Sequence, residues 1–323
     1  MHNGLEEKIS IFLSQTEGRL SSRVPLWWLV GHESLKSAIE VFATDPGLGS
    51  LLIYGRIGTG KTSAASSIWR LMPDVPVFTG CDRLCSPWDG VLCEGCKSRP
   101  EKGVVYIPMR CVRATINEDV SDAEGKKIIA EKIIQQASRG VVIFDPLNLF
   151  DPAIVVRVCV SSKPPVPDGR GRVSVIGVYD IMDEPLPPMF LSFTMGVRIE
   201  MREDLEERIE IIQHTKEYTT NPPPEAELEF KRVLQKITHA RTILPSVEVP
   251  DGTERIISSV CNRFVSQLKF KMDTSDLRSQ FLRVCRACAA TQGKQYVSPG
   301  DVSEAARLVF THRIDALKVS FPD

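Results

Sequence analysis

The residues best suited to chemistry form one run, Gly55-Arg56-Ile57-Gly58-Thr59-Gly60-Lys61-Thr62, which spells a complete phosphate-binding loop. Its spaced glycines let successive backbone N–H groups turn inward on an anion. In such a loop Lys61 offers a point charge to the β- and γ-phosphates, and Thr62 offers a hydroxyl to Mg²⁺. The run "LLIYG" (51–55) before it reads as a strand, and "GKTSAASSIWRLM" (60–72) opens a helix behind it. That helix turns its positive dipole end toward the phosphates. The alternative is a merely glycine-rich turn between strand and helix. A random match to the full pattern is expected about one time in a hundred at ordinary glycine frequencies. ATP with Mg²⁺ is therefore the expected ligand pair.

A second carboxylate-bearing strand follows in "GVVIFDPLNLF" (140–150). Asp145 ends a buried run of β-branched and aromatic residues, where it can orient the Mg²⁺ shell together with Thr62. A turn aspartate or helix cap is the plainer alternative. Hydrolysis needs a further group to orient or deprotonate water. Ring-forming ATPases place a glutamate directly after this aspartate, but here the position is Pro146, which has no acceptor to offer.

Four of the nine cysteines cluster in "CDRLCSPWDGVLCEGC": Cys81, Cys85, Cys93 and Cys96. The Cys-x₂-Cys half suits a tetrahedral thiolate zinc site, although the seven-residue middle spacer is shorter than in most zinc ribbons. Free thiols and a redox-switched disulfide are the other two readings. Cys111, Cys159, Cys261, Cys285 and Cys288 lie on apolar or helical backgrounds and read as small core residues.

Short apolar strands alternate with helical segments from about residue 25, which implies a parallel sheet covered on both faces. The expected strands are 51–55, 103–109, the "VVIFD" run, 172–180 and 196–201. Beyond Met201 the strand pattern stops. One helical stretch leads to Asn221-Pro222-Pro223-Pro224, and four helices follow at about 225–242, 251–270, 275–291 and 299–314. The expected organisation is an N-terminal lead-in with an amphipathic helix (1–24), an α/β nucleotide-binding domain (25–220) carrying the cysteine-rich insertion at 81–96, and a helical domain (221–323).

A formal net charge of −1 and the lack of a clustered basic stripe argue against nucleic acid or an anionic membrane surface as partner. No apolar run approaches the roughly 18 residues needed to span a bilayer. The opening residues lack strong signal- or transit-peptide character. The expectation is a soluble protein in a reducing compartment, cytoplasmic by default, with an organelle stroma left open.

The order of these segments carries a resemblance. "LVGHESLKSAIEV" ahead of "GRIGTGKT", then "SRGVVIFDPLNLFD" and "VSVIGVYD", then "NPPPEAELEF", "ARTILPSVEV", "DLRSQFLRVCRACAA" and "THRI", resembles the AAA+ ATPase subunit I of magnesium chelatase. That resemblance implies an AAA+ P-loop domain with a helical C-terminal lid. It also implies a hexameric ring, D-type and H-type partner subunits, and ATP-driven insertion of Mg²⁺ into protoporphyrin IX. By the same resemblance Gly55 to Thr62 is the Walker A loop and Asp145 the Walker B aspartate. Arg278 falls at the sensor-2 arginine that reaches the γ-phosphate, and Arg241 matches a further arginine near the subunit interface.

Four positions depart from the family pattern. Pro146 replaces the Walker B glutamate, and Asp180 replaces the sensor-1 asparagine. In "LPPMFLSFT" (186–194), Phe193 stands for the arginine finger and Ser192 for the aspartate before it. Such a finger contributes roughly 10³ to 10⁵ in rate. The two substrate-handling insertions, at 113–122 and 161–172, look shortened. Two functions follow: an ATP-driven chelatase motor, or a nucleotide-binding scaffold or regulatory paralogue that hydrolyses little or nothing. A carboxylate at Asp180 should also repel a γ-phosphate unless it turns away or is protonated.

Overall fold

The computed structural model describes residues 14–15, 26–28, 31–87, 92–99, 101, 103–114, 122–162, 173–182, 186–201, 204–267 and 274–317. Eight strands are present among them: β1 (Ser14–Gln15), β2 (Ser50–Gly55), β3 (Asp74–Phe78), β4 (Val104–Pro108), β5 (Cys111–Ala114), β6 (Val141–Phe144), β7 (Ser174–Asp180) and β8 (Met195–Ile199). The helices flanking them are α1 (Glu33–Thr44), α2 (Lys61–Ser67), α3 (Glu94–Lys97), α4 (Ala123–Gln136), α5 (Pro152–Ser161) and α6 (Leu205–Thr220). Four more complete the described chain: α7 (Pro224–Ile243), α8 (Asp251–Ser266), α9 (Thr274–Thr291) and α10 (Pro299–Leu317).

The main sheet runs β1-β5-β6-β7-β2-β8, with β5 to β8 and β2 parallel and β1 antiparallel on the edge. Strand alternation divides its side chains between two cores. Leu51, Ile53, Val141 and Ile143 face one; Leu52, Tyr54, Val142 and Phe144 face the other. The first core continues into the helical domain through Phe264, Phe281 and Phe310, so lid and sheet share one apolar interior. Polar contacts reinforce it: Arg283 grips Asp45, with Nη2 to Oδ1 at 2.7 Å, and Tyr54 donates to Asp315 at 2.7 Å.

Two expectations needed correction. Ser14–Gln15, placed in the lead-in helix, form an edge strand paired with Val112 and Arg113; the rest of 1–24 lies outside the described residues. The run at 103–109 is a strand, but it pairs antiparallel with β3 in a separate ribbon. Its Val104, Val105 and Tyr106 are exposed, so apolar composition alone misplaced it. The sheet position belongs instead to Cys111–Ala114, a short strand lying mostly before the shortened insertion expected at 113–122. Residues 115–121 of that insertion, and all but 161–162 of the hairpin expected at 161–172, lie outside the described residues. The expected helices of the C-terminal domain form with shifts of a few residues at their ends.

Candidate nucleotide site

Strand order builds this site. Inserting β7 between β2 and β6 brings three strand ends together: Gly55 of β2, Asp180 of β7 and Asp145 just beyond β6. Ligands of open parallel sheets bind outside such carboxyl ends. Gly55 is required by packing, because a Cβ there would collide with the carbonyl of Ile199 on β8. Gly60 caps α2 in the left-handed region, φ 85°, a conformation costly for any other residue.

Lys61 is almost fully buried and spends its ammonium on the loop itself. It donates to Gly55 O at 2.9 Å, to Arg56 O and to Thr59 Oγ1 at 3.3 Å. It also pairs with Asp180 Oδ1 at 2.9 Å. The Asp180 carboxylate therefore turns toward the loop lysine, which meets the charge conflict foreseen from sequence by neutralising it. The backbone of Asp180 is held from both sides by Asn148, whose amide donates to its O and accepts from its N, each at 2.9 Å.

Thr62 Oγ1 donates to Asp145 Oδ1 at 3.1 Å, so the hydroxyl and carboxylate expected to share Mg²⁺ stand side by side. Both are hard oxygen donors in a partly buried corner, the donor set that Mg²⁺ takes. The other carboxylate oxygen, Oδ2, receives Arg113 Nη2 at 2.9 Å, and the same guanidinium bonds Asp145 O. Arg113 and Asn148 were not singled out by sequence reasoning. A lone arginine at the carboxyl end of the strand beside β6 was the available signal for the first. The loop tip, Arg56 to Gly58, is open, with Ile57 well exposed. Alongside runs a cleft of about 1180 Å³ lined by His32, Glu33, Gly55, Arg56, Ile181 and Arg198 among others.

Phe193 is fully buried; a Cβ built on Gly177 would stand 2.7 Å from its Cζ. Its carbonyl accepts from Arg313 Nη2 at 2.8 Å and is 3.1 Å from His312 Nε2. Both donors are buried on α10, and desolvation pulls the Arg313 guanidinium down to about 10. The segment that would present a finger is thus locked from behind, and Ser192 bonds its own turn at Met189 O.

The two resemblance-derived arginines lie elsewhere. Arg278 pairs with Glu254 at 2.7 Å on an exposed face of the lid, in a shallow site formed by α8 and α9. Arg241 is half-buried and donates to Ala43 O, at 3.0 and 2.6 Å, and to Leu71 O. Burial lowers it to about 10. Those carbonyls close α1 and the short helix after α2, so within one chain Arg241 clamps the lid to the P-loop domain. Arg241→Ala should lower stability by about 2 to 3 kcal/mol, because charged hydrogen bonds to buried carbonyls are lost. Urea unfolding checks this; a change below about 0.5 kcal/mol, the range of neutral surface substitutions, would remove the clamp.

Comparison with known proteins agrees with this layout. The model of the AAA lid domain matches residues 267–322. The chain is 28% identical to a magnesium-chelatase subunit ChlI homolog of Methanocaldococcus jannaschii, over 90% of this chain and 85% of that one. It is 27% identical to the magnesium-chelatase 38 kDa subunit of Rhodobacter capsulatus, over 90% and 87% respectively. A crystal structure from Cytophaga hutchinsonii matches in fold with a TM-score of 0.50 at 13% identity, over 88% of this chain and 83% of that one. No helix among the described residues is long and apolar enough to cross a membrane. With a P-loop α/β domain and a helical lid, the chain has the AAA+ fold, and along nine-tenths of its length it is similar to magnesium-chelatase subunits of the ChlI type.

Proposed function

We propose that this chain is a nucleotide-binding ring subunit of magnesium-chelatase type that holds Mg²⁺–ATP and on its own hydrolyses it little or not at all. The observation that carries the reading is an asymmetry. Lys61, Thr62 and Asp145 converge as a binding set, while Pro146 and the buried Phe193 occupy the positions of two groups that act on the transition state. Mg²⁺ held by Thr62 and Asp145 would supply charge neutralisation at the phosphates. The protein's own part is to place Lys61 against those phosphates and let the nucleoside end enter the adjoining cleft.

Magnesium-chelatase relatives of this length are named as subunits, which supports assembly into an oligomer, and the family reading makes D-type chains its partners. A hexamer, an H-type partner and tetrapyrrole biosynthesis follow from the same family reading. In such a ring Arg278, exposed on the lid, would exchange its ion pair with Glu254 for a neighbouring subunit's nucleotide. The motor alternative draws on the family likeness alone and needs a substitute for Pro146.

Asp180 gives the proposal a distinctive test. An incoming γ-phosphate must take Lys61 from that carboxylate, at 2.9 Å and a quarter exposed. Asp180→Asn should tighten binding of a labelled non-hydrolysable ATP analogue about fivefold, about 1 kcal/mol after allowance for solvent screening. Equilibrium binding with Mg²⁺ measures it. No binding by the unmodified protein would sink the nucleotide reading, and weaker binding by the variant would reverse the role given to Asp180.

A further inference from the structure

The cysteine insertion, remote in chemistry from the phosphate loop, is assembled more tightly than free thiols require. All four sulfurs of Cys81, Cys85, Cys93 and Cys96 lie within 4.8 Å of one another. Cys81 Sγ and Cys93 Sγ are 3.8 Å apart. A zinc ion with Zn–S bonds of about 2.3 Å spaces its tetrahedral sulfurs about 3.8 Å apart. A disulfide needs about 2.05 Å, so this pair is a non-bonded contact.

The chain reaches that arrangement through two turns. Phe78 O accepts from Cys81 N at 3.2 Å, and Leu84 N closes on Cys81 O at 3.0 Å. On the other side α3 opens at Cys93, with Cys96 N bonded to Cys93 O at 3.0 Å. This one-turn helix is how a short middle spacer still delivers the fourth sulfur. Backbone N–H groups also point at sulfur: Cys85 N at 3.4 Å from Cys81 Sγ, and Cys93 N at 3.3 Å from Cys85 Sγ. Donors of that kind are the outer-shell support that thiolate ligands receive.

The local core is too small to hold this loop alone. Its buried members are three of the cysteines, with Phe78, Leu92 and Cys93 partly covered around them. Leu84 is moreover held at φ 52°, a left-handed conformation unfavourable for a branched side chain. Small units with so little apolar interior are commonly stapled by a metal.

We propose that Cys81, Cys85, Cys93 and Cys96 bind one structural Zn²⁺ that fastens the insertion to the P-loop domain. Four soft thiolates with no histidine, carboxylate or open position select zinc and leave no place for substrate. Each thiol gives its proton to solvent as the metal enters, so affinity rises with pH. The fastened loop is tied outward on two sides. Phe78 N on β3 donates to Cys85 O at 2.8 Å, while Arg99 holds Thr79 O and Gly80 O at 3.0 Å each. Arg139, two residues ahead of β6, donates to Leu84 O. The metal thereby steadies the ribbon β3–β4 against the start of β6.

The test uses the full chain, purified with a thiol reductant and no added metal. Plasma mass spectrometry should find one zinc per chain, or else the reduced protein should take up one equivalent when titrated with Zn²⁺. Cobalt titrated into chelator-stripped protein should give the intense visible bands of a tetrahedral thiolate complex, a readout independent of any variant. Removing zinc should lower the thermal midpoint of the natural protein and leave a Cys93→Ser/Cys96→Ser variant unmoved. Reduced protein that takes up neither metal overturns the proposal and leaves four free thiols. Disulfide-linked peptides from the cluster in protein isolated without reductant, with no zinc, overturn it in favour of a redox pair.

Discussion

Phe193→Arg, the substitution that would restore a finger by sequence, lowers the thermal midpoint by roughly 8 °C or more and restores no activity. The reason is position. The ring fills the contact over Gly177 in a fully apolar environment, and its loss alone costs about 3 to 5 kcal/mol. A guanidinium there would be an unpaired buried charge, which costs several kcal/mol more. It would also stand near buried Arg313, already bonded to the Phe193 carbonyl. A total stability of about 5 to 15 kcal/mol leaves little margin for that change. Thermal unfolding followed by circular dichroism checks it. A soluble variant with an unchanged midpoint would mean that this segment can swing outward, and the finger position would be open after all.

Lys61→Ala should weaken binding of the non-hydrolysable ATP analogue by roughly 100-fold or more. Truncating one partner of a buried charge pair costs about 2 to 5 kcal/mol, and each tenfold in affinity is about 1.4 kcal/mol. Two effects add here. The phosphates lose their point charge, and Asp180 loses the ammonium at 2.9 Å that neutralises it, leaving a bare carboxylate facing the ligand. Lys61→Ala combined with Asp180→Asn should therefore recover part of the lost affinity, because the second substitution removes the repulsion that the first exposes. A single variant within about threefold of the natural protein would show that the loop binds phosphate through its backbone alone.

Much of this was legible because the informative residues are local in sequence. Glycines at fixed offsets, a strand before and a helix after gave the P-loop, and short continuous apolar runs alternating with helices gave most of the parallel sheet. The four-helix domain followed from its apolar spacing and its Pro and Gly boundaries. What escaped depends on contacts between distant segments. Nothing local places Arg113 on Asp145, 32 residues away, or Asn148 around the backbone of Asp180. Likewise "GVVYIPM" reads as strand correctly, yet only pairing decides which sheet receives it. Arg241 and Arg278 illustrate the limit from the other side. Resemblance supplied roles for both, and the fold gives one a clamping contact and the other an exposed ion pair.

The central claim, that this chain holds ATP without turning it over, meets its most direct test in steady-state ATP hydrolysis by the purified protein with Mg²⁺. The natural chain, Lys61→Ala and Pro146→Glu should be measured side by side at saturating nucleotide. The account predicts that the natural chain binds the analogue yet releases phosphate no faster than Lys61→Ala. Turnover by the natural chain near the roughly 10 s⁻¹ typical of enzymes, abolished in Lys61→Ala, would contradict it and identify a base that replaces the missing glutamate.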